Sequence, residues 1–288
     1  YLSGSGSVPG SITVLGGALR QLPMSGGGTL SLYSSNIHQG GTLRAPIGVI
    51  NLGWNGSGPG PFDPISGTTR PAPVTSQLTL AEGSITSVSA VDPRTGRGIQ
   101  IPFGISLDGI TWIDPAGNDI TVSGVPAKAV NLSAQSVTTA AGSVIDISGG
   151  GDLFAYRWTQ GTGGSQDILG STSSFAIIPG YDFNFAPYAP FNPGATNLGG
   201  ATGFVNNNLR IGDQITLGAG AGLRAGTYTL LPARYALVPG AYLVTPKSGI
   251  PVGSVTLPDG SSLVSGFRAN VLDRDRAGVT LMERFEVA

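Results

Sequence analysis

Two stretches decide the fold: residues 31–46, SLYSSNIHQGGTLRAP, and residues 131–150, NLSAQSVTTAAGSVIDISGG. In each, an aliphatic residue (Leu32, Leu132) is followed five positions on by a β-branched one (Ile37, Val137). Glycine (Gly41, Gly142) and a further aliphatic residue (Leu43, Val144) come next. A fainter copy, LTLAEGSITSVSA, carries Leu80, Gly83 and Ile85. Units of about 20 residues, each a short strand plus a turn, cannot bury an apolar side alone. The pattern therefore predicts stacking into a solenoid such as a parallel β-helix.

Working outward, the same alternation of polar and apolar residues recurs in Ser11–Val14, Thr29–Leu32, Gln77–Leu80 and Gln214–Leu217. Period-2 runs of this length, each closed by Gly, Pro, Asn or Ser, read as half-buried strands. Nearly the whole chain is accordingly predicted to be β. Residues 1–155 are assigned to stacked layers, with 51–73 (NLGWNGSGPGPFDPISGTTRPAP) as an inserted loop. An aromatic, Pro- and Asn-rich region is expected at 156–208 and a second β-rich region at 209–288. In the latter, Tyr228, Tyr235 and Tyr242 recur every seven residues, but Pro232 and Pro239 exclude a heptad helix.

Composition agrees. The 47 Gly and 21 Pro among 288 residues demand many turns, while 40% hydrophobic residues supply a core. A net charge of -1 and recurrent Val, Ile and Leu are not those of a disordered chain. Fifteen basic residues scattered singly give no footprint for nucleic acid. The absence of cysteine removes disulfides, thiolate metal sites and a cysteine nucleophile. No stretch approaches the roughly 18 apolar residues of a membrane helix. The chain opens at Tyr1 with no basic, then apolar, leader, so any export signal is expected upstream or already removed.

The stretches GGTLRAPIGVINLG, LSAQSVTTAAGSVIDISGGGDL and LPARYALVPGAYLV resemble the filamentous haemagglutinin-like exoproteins of Gram-negative two-partner secretion systems. The resemblance implies a right-handed parallel β-helix, exported through an outer-membrane transporter and displayed at the cell surface. There it would act in adhesion, aggregation or biofilm formation. The amino-terminal secretion module of that family is not evident, which would place this piece downstream of it. Expected partners are therefore the transporter, a glycan or protein receptor on a host or bacterial surface, and other copies of the chain joined end to end, because open solenoid ends leave backbone groups unpaired.

Candidate chemistry is sparse. His38 is the sole histidine and would have to serve any Ser-His-Asp mechanism, although a surface polar residue is the plainer reading. Asp108, Asp114 and Asp119, or Asp146 and Asp152, are the carboxylates that a polysaccharide-cleaving β-helix could pair. They also sit in turn sequences where Asp and Asn cap their own backbone. Ser148–Leu153 is a partial copy of a glycine-aspartate calcium repeat. GAGAGLRAG imitates a dinucleotide fingerprint but precedes TYTLLP, which cannot start the required helix. No catalytic residue, resident metal or cofactor is assigned. For sugar stacking the expected platforms are Trp54, Trp112, Trp158, Tyr181 and Tyr188. The sequence thus predicts a non-catalytic surface filament or adhesin section, with a carbohydrate-active β-helix enzyme or a carbohydrate-binding module as alternatives.

Overall fold

The structure is a computed structural model that describes residues 9–17, 22–63, 67–69, 72–159, 167, 169, 173–181, 209, 211–248, 253–268 and 282–288. In chain order its strands are β1 (Ser11–Val14), β2 (Thr29–Leu32), β3 (Asn36–Gln39), β4 (Thr42–Arg44), β5 (Val49–Leu52), β6 (Phe62–Asp63) and β7 (Thr68–Thr69). Then come β8 (Gln77–Leu80), β9 (Ile85–Ser87), β10 (Gln100–Ile105), β11 (Ala129–Leu132), β12 (Ser136–Thr139), β13 (Val144–Asp146) and β14 (Asp152–Tyr156). The last are β15 (Phe175–Ile177), β16 (Gln214–Leu217), β17 (Gly226–Thr229), β18 (Leu231–Pro232), β19 (Tyr242–Lys247), β20 (Val255–Thr256), β21 (Ser262–Arg268) and β22 (Met282–Val287). The protein is all-β, as its alternating pattern requires, and it divides into two compact units. One comprises Tyr1–Ile99 with Val125–Asp152, the other Gln100–Gly124 with Leu153–Ala288.

The first unit holds three parallel sheets: β1-β3-β8-β12, β2-β5-β11 and β4-β9-β13. The chain enters them in a fixed rotation, β2-β3-β4, then β5-β8-β9, then β11-β12-β13, so each circuit adds one strand to each sheet. Because the pairing is in register, like positions stack in columns: Ile37 on Leu78 on Val137, and Leu32 on Leu52 on Leu132. The inward columns form the core, with Ile37, Ile50, Leu52, Leu78, Leu80 and Val88 buried together. Each such side chain contributes about 2 kcal/mol by leaving water. Outside, Asn131 donates from Nδ2 to Asn51 Oδ1 (2.8 Å) and Asn51 Nδ2 donates to Ser31 Oγ (3.0 Å), an amide ladder across three strands.

The repeat is less regular than its sequence period. Thr29 and Val49 begin successive strands of one sheet 20 residues apart, but residues 53–76 interrupt the second circuit and 88–128 precede the third. The first of these insertions carries the antiparallel pair β6-β7 within the stretch expected to be an inserted loop. The alignment of Leu43 with Val144 is also corrected: Leu43 shares its column with Thr86 and Ile145. The cause is a corner of unequal length, with two residues between β3 and β4 but four between β8 and β9 and between β12 and β13. In the longer corners Gly83 and Gly142 adopt φ of 70° and 78°, which a Cβ would disfavour. In the short one, buried Gln39 bridges the turn, its Nε2 donating to Gly41 O and Ile85 O (both 3.0 Å) while Gly41 N donates to its Oε1 (3.2 Å).

In the second unit the main sheet is antiparallel, ordered β17-β16-β21-β22-β19-β15-β18, with β20 pairing β21. Its apolar face buries Phe175, Ile177, Ile215, Leu217, Val244, Val264, Phe285 and Val287. Within the region expected to be β-rich, Ala233–Leu237 form a 3-10 helix between Pro232 and Pro239. Pro232 precedes its first residue with φ fixed at -50°, and extended Val238 before Pro239 closes it. Between β16 and β17 the glycine-rich GAGAGLRAG is the connection of an antiparallel hairpin.

Candidate functional site

Alternation places every second side chain of β1, β3, β8 and β12 outside their common sheet. Register then aligns them in two rows: Ser11, Asn36, Gln77 and Ser136, and Thr13, His38, Thr79 and Thr138. Neighbours within a row repeat at about 4.8 Å, the strand spacing. All eight are polar and only His38 is titratable. A shallow open depression of about 260 Å³ lies over Ser11, Thr13, Asn36, His38, Gln77 and Thr79. Hydroxyls and amides in this array both donate and accept, which suits a neutral, polyhydroxylated surface better than a charged one. Sequence reasoning marked SITV and QLTL as strands and set Ile37 and Val137 at matching places of a repeat; the polar letters of SITV, NIHQ, QLTL and SVTT were the available signal. It missed that these four strands share one sheet, because the insertions break the period.

The described aromatic candidates are divided between the two units. Trp54 belongs to the first unit and is half-buried, its Nε1 donating to Ser57 O (3.1 Å) and its backbone N to Thr75 Oγ1 (3.0 Å). Trp112, Trp158 and Tyr181 belong to the second. Trp112 is half-buried and donates from Nε1 to Phe103 O (3.1 Å), whereas Trp158 is 41% exposed. The phenol of Tyr181 is raised well above its ordinary range by burial, with Tyr235 adding to the effect. Tyr188 lies outside the described residues.

The carboxylates serve their own turns. Asp108 accepts from the backbone N of Ile110 (2.8 Å) and Thr111 (2.7 Å) and from Thr111 Oγ1 (2.7 Å). The Thr111 hydroxyl, followed by the two amides, pulls its pKa down to about 2. Asp114 accepts from the backbone N of Ala116 (2.9 Å) and Asn118 (2.8 Å). Asp119 is lowered by the Thr121 hydroxyl, and Asp146 chiefly by the Ser148 hydroxyl, 2.6 Å away. A general acid for glycoside cleavage needs the opposite shift. A folded-state pKa below the ordinary carboxylate value of about 3.9 means stabilisation complete above that value and lost as pH falls through the folded one. Acidification from about pH 4 towards 2 is therefore expected to release the 108–111 turn, read as accelerated amide exchange at Ile110 and Thr111. In Asp108→Ala, which has no side-chain acceptor, the protection of those two amides should already be missing at neutral pH.

One basic group faces an acid inside the layers. Arg44, Ser87 and Asp146 share a row across β4, β9 and β13, and Ser87 Oγ donates to Asp146 Oδ2 (2.9 Å). Burial lowers the Arg44 pKa against the pull of Asp146 and Asp92. In the second unit Arg234, buried, donates from Nε to Pro102 O (3.0 Å) and stacks 5.3 Å from the Tyr235 ring centre. Among the described residues no group of three His, Asp or Glu side chains is placed to hold a metal ion. Compared with protein-family models, curated proteins and solved structures, the chain matches none.

Proposed function

We propose that this chain is a section of a surface filament or adhesin of a Gram-negative bacterium, exported through an outer-membrane transporter and acting without catalysis. Its first unit is read as three coils of a right-handed parallel β-helix. The observation that supports this is the rotation of the chain through three parallel sheets in constant order, one strand per sheet per circuit. Such a coil offers long uniform faces rather than a closed cleft, and attachment would use the uncharged rows around His38 and Thr79. The receptor class this chemistry favours is a glycan.

Beads coated with the chain should be retained on polysaccharide-bearing cell surfaces. His38→Glu with Thr79→Glu, both on the outer face, should cut retention at least tenfold without changing the melting temperature. Equal retention by both proteins would remove the face from the mechanism. Shortening of a soluble polysaccharide by the chain would overturn the non-catalytic reading.

A further inference from the structure

The last circuit, β11-β12-β13, is the edge strand of all three parallel sheets at once. An edge strand leaves a row of backbone donors and acceptors unpaired, and proteins ordinarily guard such edges with lysine, proline or a bulge. Here β12 is Ser136-Val137-Thr138-Thr139, with no charge and no proline. Among the described residues, two of the columns also end exposed at this layer. Val137 is 43% exposed, although Leu78 and Ile37 in its column are 0% and 2%. Ile145 is 43% exposed beside Thr86 at 1%. Apolar residues at inward positions of an open edge are a face awaiting a further layer.

The occupant is constrained by direction and pattern. A layer that continues β12 must run parallel to it and bring apolar residues at the second position of a four-residue strand. The opposite edge of the same sheet meets those terms: β1 is Ser11-Ile12-Thr13-Val14, parallel to the rest, uncharged, with Ile12 in the column of Ile37, Leu78 and Val137. We propose that copies of this chain join head to tail, the free edge of β12 in one copy pairing with the free edge of β1 in the next. The sheet then continues in register, with Ser136 opposite Ser11 and Thr138 opposite Thr13. A two-fold arrangement would set β12 antiparallel to its own copy, so only the head-to-tail contact preserves the parallel ladder. The proposal rests on the coil reading above and adds the partner.

The chain has no cysteine, so disulfides can report the register. Parallel neighbours about 4.8 Å apart lie within the Cα separation a disulfide spans. Under mild oxidation, Thr13→Cys mixed with Thr138→Cys should give a cross-linked dimer, whereas neither variant alone should. A single chain carrying both substitutions should give a ladder of oligomers. Val137→Asp, at an already exposed position, should weaken association seen by sedimentation at least tenfold while keeping the circular dichroism of the parent. As an internal standard, His38→Cys with Thr79→Cys should close within one chain, because those residues are register partners. If the standard closes and the mixed pair does not, stacking is overturned and the coil reading stands. Dimerisation of Thr138→Cys alone would overturn the head-to-tail arrangement, and failure of the standard as well would overturn both.

Discussion

Leu78→Ala is expected to destabilise the first unit by about 4 kcal/mol, near the upper end for removal of a buried leucine. Leu78 is fully buried on β8, with Ile37 on one side of its column and Val137 on the other. The cavity opens between layers whose backbones are fixed by ladder hydrogen bonds on both edges, so the surroundings have little freedom to close over it. The readout is the urea midpoint followed by Trp54 emission in a Trp112→Phe, Trp158→Phe background, which restricts the signal to the first unit. A loss below about 1 kcal/mol would mean that Leu78 is not enclosed by neighbouring layers.

Gln39→Leu is expected to cost about 3 kcal/mol, although it keeps the volume and removes a polar group from the interior. Buried groups left without partners cost about 1–3 kcal/mol each. Here the Gly41 N–H and the Ile85 carbonyl both lose the Gln39 amide. The same urea titration measures it. If leucine were neutral or stabilising, the corner would be held by its backbone alone. Comparison with Leu78→Ala separates the two ways in which a layer can fail, by a void or by an unmet hydrogen bond.

These two residues also mark what the sequence discloses. Leu78 stands in a period-2 run, and burial of its side chain follows from alternation alone. Gln39 stands at an equivalent position in NIHQ but reads as polar, and nothing local says that it turns inward to close a short corner. The matched spacing of Leu32 with Leu132 and Ile37 with Val137 correctly pairs positions 100 residues apart that occupy the same columns. Leu43 escapes that alignment because corner length is set by tertiary hydrogen bonds rather than by period. For the candidate site, the aromatic residues were legible by type, but not that Trp112 gives its indole N–H to Phe103 O while Trp158 stays exposed. The uncharged rows of the four-stranded sheet carry no rare residue except His38, and they become visible only once strands far apart in sequence are set side by side.

The insertion between β5 and β8 leaves the circuit after Leu52 and rejoins it at Gln77, with Leu52 and Leu80 still buried in one core. Doubling the length of such an excursion adds only about 0.6 kcal/mol of closure entropy. This corner consequently tolerates inserted chain at little cost in stability. A lengthened or replaced loop between Leu52 and Gln77 should leave the columns beneath it as they are.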